Sequence, residues 1–200
     1  PRRPAPAPTS GSQFAVLARP QVVVSILLTA LVFGGLFGAF IYVEPLVTNV
    51  TGFSSAAVPW LLVLFGVGLF LGNLVGGRAA DRDLTRTLRV IAVALPVVLV
   101  AYALLAPFRV PTALLLFALG FVGFAATPPL QLRVMRFAGD APTTASAANI
   151  AAFNLGNAVG SAIGGATIAV GLGWVSPVWV GLAMAVVGGL LVFGNRHEAA

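Results

Sequence analysis

The chain has 200 residues, of which 59% are hydrophobic and only 8% are charged, whereas an ordinary soluble domain is about 25% charged. So few charges cannot cover a water-exposed surface, which excludes a soluble globular protein and indicates one that lies in lipid. The net charge of +6 comes from eleven arginines against five acids, and the absence of cysteine excludes disulfides, thiolate metal sites and cysteine nucleophiles.

The first residues, PRRPAPAPTSGS, are rich in proline, alanine and serine. Such a composition cannot bury a core and favours an extended tether. We therefore predict a cytoplasmic linker over residues 1–20, a membrane region over 21–195 and a cytoplasmic tail over 196–200.

Six apolar stretches follow the linker, each close to the roughly 17 to 25 residues that a helix needs to cross a bilayer. Turn-forming residues separate them, among them Glu44-Pro45 after the first stretch and Asp81-Arg82-Asp83 after the second. The predicted fold is an all-α integral membrane protein with six transmembrane helices, at about 21–43, 57–77, 88–106, 111–132, 146–170 and 177–194.

The arginines predict the orientation of these helices. Six crossings place both termini on one side, and ten of the eleven arginines fall on that side, with Arg109 opposite. Arginine-rich loops stay in the cytoplasm, so both termini are predicted to be cytoplasmic. The same distribution argues against the alternative that the positive charge binds nucleic acid.

The end of the second stretch carries the first specific motif, Gly-Arg-Ala-Ala-Asp-Arg-Asp-Leu-Thr-Arg over residues 77–86, which we predict to be a loop. It resembles the Gly-x-x-x-Asp-Arg-x-x-x-Arg signature of the major facilitator superfamily. In that family the loop is a latch that stabilises one state of alternating access, which implies this role for Gly77, Asp81, Arg82 and Arg86. The alternative is a short basic loop that only follows the positive-inside bias.

Small residues repeat every four positions on the second and fifth stretches, and this spacing lets a neighbouring helix pack backbone to backbone. Residues 156–165 (GNAVGSAIGG) also resemble the superfamily's Gly-x-x-x-Gly-Pro-x-x-Gly-Gly antiporter motif, with Ser161 in place of the proline. Packing alone explains the ladder equally well. The predicted packing residues are Gly68, Gly72, Gly76, Gly156, Gly160 and Gly164.

Asparagines in apolar helices must hydrogen-bond or face water, because an unpaired amide is costly in hydrocarbon. Asn149, Phe153 and Asn157 share one helix face by their spacing of four, and Asn73 lies on the second stretch. These four residues are candidates for a substrate cavity, and hydrogen bonding between helices is an equal alternative. No acids occur at metal-ligand or hydrolytic spacing within the stretches, so no enzyme, metal site or cofactor is predicted.

Residues 42–53, 65–82 and 149–165 resemble the drug:proton antiporter branch of the superfamily, near arabinose-efflux and chloramphenicol-resistance permeases. The resemblance implies the C-terminal six-helix half of a bacterial inner-membrane transporter, with proton-coupled efflux of small neutral or lipophilic compounds. Its partners would be the bilayer, a missing N-terminal half, the substrate and protons. A six-helix protein that dimerises, or a membrane scaffold without transport, remains open from the sequence.

Overall fold

A computed structural model of the chain describes residues 14–139 and 141–194. These residues are helical almost throughout, and no strand occurs among them. Their α-helices, numbered in chain order, are α1 (Pro20–Phe40), α2 (Val43–Asn49), α3 (Val58–Arg82), α4 (Leu84–Leu105), α5 (Arg109–Ala125), α6 (Thr127–Ala138), α7 (Pro142–Ala169) and α8 (Ser176–Gly194). Most of the predicted linker and the whole predicted tail lie outside the described residues.

Five stretches of the described chain are long and apolar enough to cross a membrane: Pro20–Asn49, Ser55–Arg82, Leu84–Leu105, Arg109–Ala138 and Ser176–Gly194. The remaining predicted crossing is α7, whose 28 residues extend about 42 Å, more than the roughly 30 Å of a hydrocarbon core. The hydropathy of α7 is lowered by its asparagine, serine, threonine and glycine residues. Its length, and not its hydropathy, therefore favours a crossing. The fold is an all-α membrane bundle, as the sequence predicts.

Two crossings are interrupted where the sequence predicts continuous helices. The first ends at Phe40 and the chain resumes as α2, which contains the predicted turn residues Glu44 and Pro45. The fourth is interrupted at Ala126, and α6 begins with Thr127-Pro128-Pro129. Proline is tolerated in both places because the first turn of a helix needs no backbone N–H donor.

The long helices pack in a defined order. α1 packs against α7 and α8, which also contact each other. α3 packs along α5, and α4 packs against α8 and α5. α6 contacts α1, α3 and α7. A large buried cluster fills the middle of this bundle, and a smaller one lies at the end where α6 ends and α7 begins, formed by Val16, Val22, Val134, Ala138 and Ala145.

Glycines bring α3 and α5 into direct backbone contact. A Cβ added to Gly68, Gly72 or Gly76 would collide with a carbonyl oxygen of α5. All three glycines are buried, while the opposite face of α3 is exposed. Because no side chain intervenes, the two helices approach as closely as their backbones allow.

α7 and α1 are in the same kind of contact. A Cβ added to Gly156 or Gly160 would collide with a carbonyl oxygen of α1. At Gly164 it would lie 3.1 Å from the side chains of Tyr42 and Pro177, which is tighter than most real contacts. The hydroxyl of Tyr42 donates a 2.8 Å hydrogen bond to the carbonyl oxygen of Ser161 and so joins α7 to the end of the first crossing.

Candidate functional site

The charged motif between α3 and α4 is helical on both sides of one connecting residue. α3 continues through Arg82 and α4 begins at Leu84, so the predicted loop is wrong for every residue of the motif except Asp83. A carboxylate oxygen of Asp83 accepts a 2.9 Å hydrogen bond from the backbone N–H of Arg86 and caps α4. The alanines and arginines of the motif are good helix formers, so α3 persists until this cap starts the next helix.

The four residues with an implied latch role lie at this end of the bundle. Gly77 faces α6, where an added Cβ would be in ordinary contact with Pro128 at 3.8 Å. Asp81, Arg82 and Arg86 are exposed, and no ion pair of theirs is present among the described residues. Their charges are therefore directed to solvent or to groups beyond the described chain.

A chain of polar side chains connects α1, α7 and α6. Thr29 Oγ1 donates to Asn149 Oδ1 at 2.7 Å, Asn149 Nδ2 donates to Gln131 Oε1 at 2.8 Å, and Gln131 Nε2 donates to Ser146 Oγ at 2.5 Å. Asn149 is fully buried and both atoms of its amide group are engaged. Of the two roles that the sequence left open for Asn149, the structure shows hydrogen bonding between helices.

Arg133 is buried next to this polar chain, with only 1% of its surface exposed. Its guanidinium donates a hydrogen bond to Ser25 Oγ on α1, and its Cζ lies 5.1 Å from the centre of the Phe137 ring. The sequence treats Arg133 as one of many cytoplasmic arginines and misses this role. The signal was the polar stripe of α1, where Ser25 and Thr29 are four residues apart and so share a face.

Six phenylalanines from four helices meet in the middle of the bundle. This phenylalanine cluster consists of Phe33, Phe37 and Phe40 on α1, Phe65 on α3, Phe124 on α5 and Phe153 on α7. The rings of Phe33 and Phe153 meet edge to face at 4.1 Å, and those of Phe40 and Phe65 stack at 3.9 Å. Phe124 lies 6.0 to 6.3 Å from three of the other rings. Four helices thus contribute to the phenylalanine cluster.

Asn157 and Asn73, the other two asparagines predicted to line a cavity, lie on different helices and differ in burial. Asn157 lies one turn beyond Phe153 on α7, and its Oδ1 is buried with no hydrogen-bond partner among the described residues. Asn73 is exposed on α3, and no hydrogen bond joins it to Asn149 or Asn157. The structure therefore brings Phe153 and Asn157 together beside α1, places Asn149 in the polar chain, and leaves Asn73 on another face.

Residues 26–200 match the family described as the Major Facilitator Superfamily. The chain belongs to this superfamily. It is 41% identical to the inner membrane transport protein YdhP of Escherichia coli (strain K12), over 96% of this chain and 49% of that protein. It is 36% identical to a chloramphenicol resistance protein of Streptomyces lividans, over 92% of this chain and 47% of that protein. No solved structure matches the chain significantly.

Membership of the major facilitator superfamily confirms the family predicted from the sequence motifs. The superfamily consists of transporters, so the prediction that the chain is not an enzyme is confirmed as well. The chain spans about half the length of the curated relatives it matches. Its apolar helices and its inner-membrane relatives make it a multi-pass protein of a bacterial inner membrane.

Proposed function

We propose that the chain is the C-terminal six-helix half of a secondary active transporter that exports small neutral or lipophilic compounds. The observation that carries this proposal is the relationship to a chloramphenicol resistance protein along nearly the whole chain. The transporter alternates between inward-open and outward-open states, and proton entry drives export. The relatives are about twice as long, which favours a half over a self-sufficient dimer or a membrane scaffold.

The phenylalanine cluster and Asn157 support the substrate class. Four of the rings, those of Phe37, Phe40, Phe124 and Phe153, are partly exposed and offer apolar aromatic surface. Asn157 Oδ1, which has no partner among the described residues, offers one hydrogen-bond acceptor. Binding sites for small molecules commonly combine such apolar walls with a few polar groups. We assign the substrate cavity to Phe153 and Asn157, with Asn149 holding their helix in place. Asn73 is exposed on another face, so we leave it out of this assignment.

The coupling proton requires a carboxylate within the membrane, and the described chain does not offer one. Glu44, Asp81 and Asp83 are all exposed at the ends of helices. The proposed proton site therefore lies in the other half of the transporter.

Export can be tested with the complete gene product in bacteria that lack their own efflux pumps. We expect cells that make it to accumulate less radiolabelled chloramphenicol, and a protonophore to abolish the difference. Phe153→Ala and Asn157→Leu should each weaken export about three- to tenfold, the range expected for one aromatic contact or hydrogen bond. Phe193→Ala, at an exposed position on α8, is the matched control. Equal accumulation with and without the protein would contradict export of this compound.

The latch role of the charged motif is a proposal of its own. We propose that the exposed carboxylate of Asp81 pairs with groups of the other half in one of the two states. Arg82 and Arg86 lie beside it, and Gly77 faces α6. Asp81→Asn should slow transport about tenfold at a normal protein level. Asp83→Ser is the control, because serine also caps a helix. Unchanged transport by the Asp81 variant would argue against a latch.

Cytoplasmic termini can be tested by labelling, since the chain contains no cysteine. Arg89 and Ser54 are exposed at opposite ends of the bundle. In intact cells a membrane-impermeant maleimide should label Ser54→Cys and leave Arg89→Cys unlabelled until the membrane is opened. The reverse pattern would invert the proposed orientation.

A further inference from the structure

A groove of about 450 Å³ opens between α3 and α4, with α5 as its floor. We call it the α3–α4 groove. Val75 and Ala79 line one wall, Val90 and Ala94 line the other, and Phe121 lies on the floor. Over most of its length the groove is therefore apolar.

The packing of the bundle explains why the groove is open. α3 packs along α5, whereas α4 packs mainly against α8, so the two helices diverge from the single residue that connects them. Val75 and Val90, on facing rims, are 47% and 58% exposed. The apolar walls of this recess favour an acyl chain over water as its occupant.

The end of the α3–α4 groove is polar and carries positive charge. Arg82, Asp83 and Arg86 all line it at the α3–α4 connection. The carboxylate of Asp83 is engaged by the backbone N–H of Arg86 as a helix cap. Two guanidiniums against one capped carboxylate leave an excess of positive charge at the mouth.

We propose that the α3–α4 groove binds one anionic phospholipid. Its phosphate lies against Arg82 and Arg86, and an acyl chain lies between the walls formed by Val75, Ala79, Val90 and Ala94. Arginine guanidiniums bind phosphate oxygens through paired hydrogen bonds, and anionic headgroups concentrate where basic residues meet the membrane surface. The inference rests on an apolar groove and a cationic mouth in one continuous recess, and it does not depend on transport or on its substrate.

The test is lipid retention by the complete gene product, purified in detergent and measured by native mass spectrometry. The probes are a phosphatidylglycerol and a phosphatidylcholine with the same acyl chains. We expect one phosphatidylglycerol to be retained per protein, with at least tenfold preference over phosphatidylcholine. Absence of this preference would overturn the proposal.

One variant tests the cationic mouth of the groove, and a second variant tests its apolar walls. Arg82→Ala/Arg86→Ala should lower retention of phosphatidylglycerol about tenfold, whereas Arg89→Ala/Arg136→Ala removes the same charge from exposed positions outside the groove and should leave retention unchanged. Equal losses in both double variants would mean unspecific attraction to the surface and would overturn the proposal.

The second variant, Ala94→Phe, fills the groove without changing its charge. It should lower retention about tenfold, and inorganic phosphate at millimolar concentration should not displace the bound lipid. Full retention by Ala94→Phe, or displacement by phosphate, would show a site for free anions and would overturn the lipid assignment. If the other half of the transporter covers the groove, the unaltered protein will retain no phosphatidylglycerol, and this result would also overturn the proposal.

Discussion

Gly72 and Gly66 lie on the same helix, α3, and differ in what surrounds them. A Cβ on Gly72 would collide with the carbonyl oxygen of Phe121. It would also come within 2.7 Å of the carbonyl carbon, which is 0.7 Å less than the 3.4 Å at which ordinary contact begins. A Cβ on Gly66 would meet nothing within 4 Å. Gly72→Ala therefore forces α3 and α5 apart by at least about 0.7 Å, while Gly66→Ala leaves their contact unchanged.

The difference in stability between the two variants follows from this geometry. Both gain the same helix propensity, about 1 kcal/mol, when alanine replaces glycine. Only Gly72→Ala bears the overpacking, typically about 1 to 3 kcal/mol in a close-packed site. We expect the free energy of unfolding of Gly72→Ala to lie about 1 to 3 kcal/mol below that of Gly66→Ala.

Reversible unfolding in mixed micelles of mild detergent and sodium dodecyl sulfate, followed by circular dichroism, can measure this difference on the complete gene product. Gly68→Ala and Gly76→Ala should behave like Gly72→Ala, because their added Cβ atoms also meet carbonyl oxygens of α5. If Gly66→Ala and Gly72→Ala unfold within about 0.5 kcal/mol of each other, backbone contact between α3 and α5 is not what stabilises this pair.

The same assay checks three further predictions. Thr29→Val and Asn149→Ala should be coupled by about 0.6 to 1.7 kcal/mol in a double-mutant cycle, the range of hydrogen bonds between membrane helices, and additive effects would refute their bond. Tyr42→Phe removes one hydrogen bond to α7 and should lower stability by about 1 kcal/mol; an unchanged midpoint would contradict this. Arg133→Ala should lower the free energy of unfolding by about 2 to 4 kcal/mol. The control Arg136→Ala, at an exposed position, should lower it by less than about 0.5 kcal/mol. Equal effects would mean that the burial of Arg133 does not contribute to stability.

Spacing along the chain predicted the faces of single helices more readily than it predicted their neighbours. The apolar stretches are readable because a bilayer demands about 20 apolar residues per crossing. A stripe of glycines reveals a face that must meet another helix, but the sequence alone did not say that Gly72 meets α5. The bond between Thr29 and Asn149 joins residues 120 positions apart, and no local pattern encodes that pairing.

The burial of Arg133 and the helical course of the charged motif were not predicted, because the sequence offered a simpler explanation for the charges of both. The positive-inside bias expects an arginine near position 133 whether its side chain is exposed or buried, so the burial of Arg133 leaves no trace in the pattern. The charged motif reads as a loop because its charges suggest water, yet α3 continues through Arg82 and α4 begins at Leu84. Asp83 is the N-cap of α4, and an aspartate directly before the apolar residues of the next helix is the signal that could have placed this junction.

The interruption at Ala126 divides the fourth crossing into two parts with different attachments. Before it, α5 is held to α3 through the glycine contacts. After it, α6 is held to α1 and α7 by Arg133 and Gln131. Pro128 and Pro129 cannot donate the backbone hydrogen bonds that would stiffen the junction. One membrane crossing thus links the glycine contact with α3 to the polar contacts with α1 and α7, and its two parts are fixed to the bundle by different kinds of interaction.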